Sequence, residues 1–278
     1  MNSQALSDKA KHLAKKYNVT SNLIINHYFF DSFLKRLAKS DYHNHLVLKG
    51  GYLLSIDLGI MTRTTNDLDF LLQNENISET FVLDMINDII LIDIDDLIEY
   101  NIIAIEPIKD GNGLRVKLQA KLERIRQPIN IDIAVSDPIT PKVVQNLYTT
   151  IMDSEKVNII VYPYETILAE KLQTVVSLGI TSSRAKDLYD LFIISKIFFD
   201  KMNIGDTWRA IQNTFNYRNT SYDYISVIEE LRDIGNNQIQ NQLWNRYVNN
   251  HYFANGIPFA DMMDSITIMI KKIYDHNR

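Results

Sequence analysis

Two aspartates occur at the start of a short apolar segment, where they could bind metal ions. Asp67 and Asp69 flank a leucine and are followed by Phe-Leu-Leu, and residues 68 to 72 are predicted to form a strand. In a strand, residues two apart point to the same side, so the two carboxylates would lie next to each other. A hard divalent cation such as Mg²⁺ or Mn²⁺ would relieve their repulsion, taking oxygen ligands from the carboxylates and from substrate phosphates. The spacing therefore predicts a metal site.

A third carboxylate stands in another apolar segment, INIDIAV, which covers residues 129 to 135 and is also predicted to be a strand. Asp132 in this segment could complete a two-metal site, which stabilises the attacking and the leaving oxygen of a phosphoryl displacement. Structural alternatives remain open. Asp132 could pair with a nearby lysine, and Asp67 and Asp69 could form a cap or turn at the strand entrance.

Two adjacent glycines, Gly50 and Gly51, separate a predicted strand at residues 45 to 48 from a predicted helix at residues 52 to 58. Gly59 is predicted to end that helix. Without side chains, the glycine pair would let a triphosphate approach the backbone N–H groups at the helix N-terminus. A plain tight turn is the alternative.

Composition limits the classes of protein that remain. The chain has 278 residues and a net charge of −5, which does not suggest a general nucleic-acid coat. It has no cysteine, which excludes disulfides, thiolate zinc sites and cysteine nucleophiles. We find neither a membrane-spanning apolar run nor a secretory signal, so the cytoplasm is the expected compartment, with no membrane partner.

Hydrophobic spacing divides the chain into an α/β part and a helical part. We predict an α/β domain over residues 1–160 that includes N-terminal helices, and a helical domain over residues 161–278. Within the first domain, the predicted elements are helices at 4–17, 21–39 with Ser21 as N-cap, and 78–100, then strands at 102–108 and 114–122 joined by a turn at 109–113.

One predicted strand carries a basic face. Arg115, Lys117 and Lys121 share strand parity, so their side chains would make one side of the strand positive. An RNA backbone could pass along this face as the acceptor of a transferred group. The alternative is an ordinary solvated strand face.

Together, these motifs resemble the AbiEii/AbiGii-type toxin family of nucleotidyltransferases. The resemblance covers residues 48 to 194 and includes the glycine pair, the segment RTTNDLDF from Arg63 to Phe70, a later strand aspartate, and AEKLQTVVSLGITSSRAKDLYDL at residues 169–191. It implies an α+β fold of the DNA polymerase β type, with a mixed sheet, flanking helices and a mainly helical C-terminal part.

The resemblance also assigns roles to individual residues. It implies a nucleotide site at Lys49, Gly50, Gly51, Arg63 and Lys171, metal binding by Asp67 and Asp69, and catalytic roles for these two aspartates with Lys171, Asp187 and Asp190.

Two details of this assignment depend on local chemistry. Many relatives have serine where this chain has Gly51, so backbone donors and a cation would hold the phosphate here. Lys171 need not pair with its neighbour Glu170 on a helix and would be free to reach a phosphate. Asp187 and Asp190 are neighbours on a helix face, where the alternative is a surface salt-bridge cluster with Arg184 and Lys186.

The family implies a toxin that transfers a nucleotide from a nucleoside triphosphate, with GTP or CTP favoured, to an RNA acceptor such as the 3′ end of tRNA. Its setting would be abortive phage infection or a toxin–antitoxin pair with a separately encoded, DNA-binding antitoxin. Two rivals remain from the residues alone. One is a glycosyltransferase that uses the Asp-Leu-Asp motif with a nucleotide sugar, and the other is a degenerate nucleotide-binding module, for example one that binds GTP.

Overall fold

The structure, a computed structural model, describes residues 1–73, 77–108 and 112–277, which form two compact units. The first unit contains Met1–Ser136 and Val144–Val161, and the second contains Asp137–Val143 and Tyr162–Arg278. The predicted division after residue 160 lies close to the change of unit at Val161. The short segment Asp137–Val143 packs with the second unit, although the sequence division would put it in the first.

The first unit is built on a mixed sheet, which confirms the predicted fold class. Strand β1 lies near its centre, antiparallel to β2 and parallel to β7, while β2 is parallel to β5. Among the described residues the strand order is β3-β4-β5-β2-β1-β7-β6. The strands are β1 (Leu46–Lys49), β2 (Asp67–Leu72), β3 (Glu99–Pro107), β4 (Gly113–Leu122), β5 (Ile125–Val135), β6 (Val144–Thr149) and β7 (Lys156–Val161).

The helices described with this sheet are α1 (Ser3–Tyr17), α2 (Ser21–Lys39), α3 (Gly50–Leu58) and α4 (Glu79–Ile90). Helix α2 packs against β5 and β7 and supplies Phe29, Phe30 and Phe33 to the core, all fully buried. The prediction of Ser21 as its N-cap is wrong. Thr20 has the extended backbone of a cap, and its side chain accepts a hydrogen bond from the backbone N–H of Leu23 at 3.2 Å.

The predicted helix over residues 78 to 100 is too long, because α4 ends at Ile90 and β3 begins at Glu99. An aspartate turn interrupts it: the carboxylate of Asp93 accepts a hydrogen bond from the backbone N–H of Asp95 at 2.9 Å, and Asp95 has a φ of 58°. Aspartate side chains compete with helical backbone hydrogen bonds in this way. Of the predicted turn at 109–113, Lys109, Asp110 and Gly111 lie outside the described residues.

The second unit is mainly helical, as predicted. Helix α10 supplies its core with apolar side chains three and four residues apart, including Met262, Ile266, Ile270 and Ile273. The main helices are α5 (Tyr164–Leu178), α6 (Ala185–Ile193), α7 (Ile204–Tyr217), α8 (Tyr224–Asn236), α9 (Gln238–Asn250) and α10 (Phe259–His276). None of the helices in the described part of the chain has the length and apolar character that crossing a membrane requires.

Candidate functional site

The glycine turn lies directly against the aspartate strand. Strand β1 ends at Lys49, which pairs with Asp69 of β2, and the chain then turns into α3 at Gly50 with a φ of 71°. A β-carbon at Gly50 would overlap the carboxylate of Asp69 and lie 2.9 Å from its Cβ. Glycine is therefore required here both for backbone conformation and for space. Two motifs separated in sequence form one local structure.

The paired aspartates lie on one face of β2, as their spacing predicts. Both are half-buried and flank the buried Leu68. In the parallel pairing of β2 with β5, Asp69 lies opposite Asp132 and Asp67 lies opposite Asn130. The Nδ2 atom of Asn130 donates a hydrogen bond to Oδ1 of Asp67 at 3.0 Å. The register thus places the carboxylates of Asp69 and Asp132 on neighbouring strands.

A bidentate ion pair holds the third carboxylate. Arg115 of β4 lies opposite Asp132, donating from Nε to Oδ1 at 2.6 Å and from Nη2 to Oδ2 at 2.7 Å. The hydrogen bonds to Asp132, and then the charges of Asp132, Asp67 and Asp69, raise the pKa of Arg115 above its ordinary value. The cation is thus an arginine rather than the lysine considered as an alternative.

Among residues 1–73, 77–108 and 112–277, no group of three histidine, cysteine, aspartate or glutamate side chains is arranged to hold a metal ion. The roles assigned to Asp67, Asp69 and Asp132 as metal ligands therefore stay predictions.

The second glycine of the turn makes room for a buried arginine. A β-carbon at Gly51 would lie 3.0 Å from Nη2 and 3.2 Å from Cζ of Arg63, whose side chain also donates to the backbone oxygen of Thr64. Contacts this short are tighter than ordinary packing allows, so a serine at position 51 would have to displace the guanidinium. The guanidinium of Arg63 therefore lies beside the turn.

The basic face of β4 has acidic partners. Lys117 lies 2.8 Å from Glu106, and Lys121 lies 2.8 Å from Glu99, both on the edge strand β3. With Arg115 bound to Asp132, each of the three predicted RNA contacts forms an ion pair within the sheet. The two lysine pairs are largely exposed, and such pairs contribute about 0–1 kcal/mol. The predicted acceptor role is not tested by these contacts and stays a prediction.

In the second unit, the predicted catalytic residues of α5 and α6 form a buried charge cluster. Lys171 Nζ lies 2.6 Å from Asp187 Oδ1 and 3.0 Å from Asp190 Oδ2, and Arg184 Nε lies 2.6 Å from Asp187 Oδ2. Both aspartates are 0% exposed, and the Lys171 side chain is 15% exposed. Lys171 is therefore paired rather than free, contrary to the argument from helix geometry. The cluster also differs from the surface cluster with Arg184 and Lys186 that was considered as an alternative, because Lys171 takes part in it and both aspartates are buried.

One buried acid near the glycine turn, Asp31, was not predicted from the sequence. Asp31 of α2 is 3% exposed and accepts hydrogen bonds from the phenols of Tyr52, at 2.9 Å, and Tyr148, at 3.0 Å. Tyr52 directly follows the glycine pair, so this contact ties the start of α3 to α2 and β6. The available signal was an aspartate inside the apolar run YFFDSF.

Known structures share this fold. The crystal structure of a protein from H. pylori, described as a putative nucleotidyltransferase, aligns with a TM-score of 0.53 at 18% identity, covering 93% of this chain and 97% of that one. JHP933 from Helicobacter pylori aligns with a TM-score of 0.50 at 19% identity, covering 91% and 92% of the two chains. The mixed sheet, its glycine turn and the adjoining aspartates thus define a protein of the nucleotidyltransferase fold class.

The model of the family described as "Nucleotidyl transferase AbiEii toxin, Type IV TA system" matches residues 32–264. This chain belongs to that family, which confirms the resemblance inferred from its motifs. No curated protein sequence matches the chain at a significant level.

Proposed function

We propose that this protein transfers a nucleotide from a nucleoside triphosphate to an RNA acceptor, and that the reaction needs Mg²⁺ or Mn²⁺. The observation that carries the proposal is the contact between Gly50 and the carboxylate of Asp69. A helix N-terminus that offers backbone N–H groups to phosphate and a carboxylate pair that suits a hard cation here lie side by side.

The residues present fit a magnesium ion. Mg²⁺ commonly takes one or two protein carboxylates together with substrate phosphates and waters, and Asp67 and Asp69 supply two such groups on one strand face. Asp132 would be a third ligand only if one of its oxygens were shared between the cation and Arg115. When bound, the cation would neutralise charge on the triphosphate and on the leaving pyrophosphate.

The chain's own groups have distinct roles in this reaction. The backbone N–H groups at Gly50 and Gly51 and the cations of Lys49 and Arg63 bind and orient the triphosphate. A hydroxyl of the acceptor attacks the α-phosphorus, a new P–O bond forms, and pyrophosphate leaves. Holding the reacting atoms in line contributes to the rate, because the bimolecular step then proceeds within one complex.

The acceptor is proposed to be RNA, with the 3′ end of tRNA as the first candidate. Lys117 and Lys121 support an RNA path, because their exposed pairs with glutamates are weak enough for phosphates to replace. Arg115 would act differently, by holding Asp132 in place. GTP and CTP are the triphosphates we would test first.

The cluster in the second unit is proposed to serve catalysis through Lys171. Asp187 and Asp190 fix the ammonium group, and its 15% exposed side chain presents a point charge that could bind phosphate. The biological role that follows is that of a toxin acting in the cytoplasm during abortive phage infection or within a toxin–antitoxin pair. Its partner would be a separately encoded, DNA-binding antitoxin.

The experiment is incubation of the purified protein with each labelled nucleoside triphosphate, Mg²⁺ or Mn²⁺, and total bacterial RNA. We expect label from one or two triphosphates to enter a discrete RNA band, with release of pyrophosphate. Triphosphate binding without transfer to any acceptor would favour the degenerate module. Transfer from nucleotide sugars alone would favour the glycosyltransferase.

A further inference from the structure

A cavity of about 480 Å³ opens in the second unit, in a part of the chain to which the proposed reaction gives no role. Its lining residues include four aromatic ones, Trp208, Tyr222, Tyr224 and Tyr274, together with the acidic Asp223. The other lining residues are neutral asparagine, serine and threonine. This volume is in the range of pockets that bind small molecules.

The aromatic rings form walls at steep angles to one another. The Trp208 ring centroid lies 4.7 Å from that of Tyr274 and 5.9 Å from that of Tyr222, with interplanar angles of 70° and 76°. The phenol of Tyr274 donates a hydrogen bond to the backbone oxygen of Tyr222 at 2.6 Å. Trp208, Tyr222 and Tyr224 are half-buried, so part of each ring stays accessible while Tyr274 is fixed in the core.

The charge in the cavity is negative. Asp223 caps helix α8, where its oxygens accept hydrogen bonds from the backbone N–H groups of Ile225 and Ser226 at 3.0 and 3.1 Å. Hydrogen bonds from Ser226 and Ile225 hold the pKa of Asp223 below its usual value, so it stays ionised. Burial, and then the charge of Asp223, raise the pKa of Tyr274, so this phenol stays neutral.

No lysine or arginine lines the cavity in the part of the chain that the structure describes. The nearby Arg218 is directed to Asp137, at 3.0 Å, and to Glu170, at 3.8 Å. A phosphate-bearing ligand would therefore contact aromatic and acidic residues, and none of the described lining residues would offer it a positive charge.

We propose that this cavity is a binding site for an alkylammonium cation. An ammonium group over the faces of tryptophan and tyrosine is attracted by their π electrons, and tryptophan is the strongest of the aromatic partners. Asp223, another residue of the lining, adds a negative charge. The cation could be a free small molecule or the side chain of a lysine in a polypeptide, and both present the same chemistry.

The test uses the two tryptophans of the chain as internal reporters. Trp244 is 1% exposed and donates its indole N–H to the backbone oxygen of Ile257 at 2.9 Å, so it should not respond to a ligand in the cavity. The protein is labelled with 5-fluorotryptophan, its two ¹⁹F signals are assigned with a Trp208→Phe variant, and tetramethylammonium is titrated at constant ionic strength. We expect a saturable shift of the Trp208 signal alone.

Neopentyl alcohol, which has a similar branched shape and size and carries no charge, should shift the Trp208 signal far less at equal concentration. Asp223→Asn keeps a good helix cap and should weaken tetramethylammonium binding about three- to tenfold. The matched control Glu229→Gln removes an exposed charge from the same helix and should change binding less than twofold. A short lysine peptide that binds more tightly than tetramethylammonium would indicate a polypeptide ligand, and the reverse order a free cation.

Three results would overturn the proposal. Equal responses to the alcohol and the cation would mean a merely apolar cavity. A shift with a single-stranded ribo-oligonucleotide but none with tetramethylammonium would mean a surface for base stacking. The absence of any saturable shift of the Trp208 signal would mean that the cavity binds no alkylammonium cation.

Discussion

Gly50 lies so close to Asp69 that a single added β-carbon would occupy the space of its carboxylate. The turn that begins α3 and the strand that carries the aspartate pair are therefore sterically dependent on each other. A side chain at position 50 would move the carboxylate, the helix N-terminus or both.

The first prediction concerns this contact. Gly50→Ala should lower stability by about 1–3 kcal/mol, because alanine is strained at a φ of 71° and also meets Asp69. It should also abolish the rise in melting temperature that nucleoside triphosphate with Mg²⁺ gives to the wild-type protein. Thermal melts with and without ligand measure both effects.

Gly59 provides a matched control for this substitution. It also has a positive φ, 86°, but a β-carbon there would have no neighbour within 4 Å among the described residues. Gly59→Ala should therefore lose stability and keep the ligand-dependent shift. If both variants kept the shift, the contact between Gly50 and Asp69 would have no part in nucleotide binding.

The second prediction concerns the buried cluster of α5 and α6. Lys171→Met should cost about 3–5 kcal/mol of folding free energy, since it removes the ammonium group that pairs with two buried carboxylates. Adding Asp190→Asn should restore part of that loss, as a double-mutant cycle in urea would measure. Purely additive losses would mean that Lys171 and Asp190 do not interact.

The third prediction concerns pH. Burial raises the pKa of Asp31 to about 7 from 3.8 and lowers the pKa of His27 to about 3 from 6.5. Protonated Asp31 therefore stabilises the fold fully below about pH 4, and this contribution is lost as pH rises to about 7. Neutral His27 stabilises the fold fully above about pH 6.5, and this stabilisation is lost as pH falls towards 3. The two effects have opposite signs and mask each other in the wild-type protein.

The substitution Asp31→Asn removes the pH-dependent contribution of Asp31 and leaves that of His27. Its free energy of unfolding, relative to wild type, should rise between pH 4 and pH 7 by an amount on the order of a few kcal/mol. Denaturant titrations at several pH values measure this difference, with Asp93→Asn as a control for the loss of an exposed carboxylate. Parallel curves for Asp31→Asn would contradict the raised pKa of Asp31.

Much of the first unit could be predicted from sequence, because strands β2, β4 and β5 have clear apolar patterns and α1 and α2 have clear helical spacing. Strands β6 and β7 were not predicted. β6 is an edge strand with only Tyr148 buried, so its pattern is nearly featureless. β7 is a short apolar run whose parallel pairing with β1 connects distant parts of the chain. Pairing of this kind is a tertiary property that local periodicity does not encode.

The candidate site shows the same limit. Strand parity placed Asp67 and Asp69 on one face, but the pairing of Arg115 with Asp132 depends on the register of β4 against β5. Likewise, helix geometry relates Lys171 only to residues of its own helix. The carboxylates that bind it belong to α6, and their contact arises from packing.

The fourth prediction separates the roles of the basic residues. Replacing Lys117 and Lys121 together by glutamine should weaken RNA binding. It should also reduce the magnitude of the slope of log K against log salt concentration by about 1.5, because each phosphate contact contributes about 0.7 to 0.9 to that slope. Stability should change by less than about 1 kcal/mol, since both ion pairs are exposed. The converse variant, Glu99→Gln with Glu106→Gln, frees both lysines and should bind RNA more tightly. Unchanged RNA binding in both variants would rule out this acceptor path.

Asp67 and Asp69 are proposed to take part in the chemistry rather than only to support the strand. The most direct measurement is the initial rate of nucleotide transfer to RNA by Asp69→Asn, beside wild type and the exposed control Asp93→Asn, with the melting temperature of each. We expect Asp69→Asn to keep its fold and to lose transfer by about a thousandfold or more, while Asp93→Asn keeps wild-type activity. An Asp69→Asn protein that transfers nucleotide at the wild-type rate but melts at a lower temperature would contradict a chemical role for Asp69.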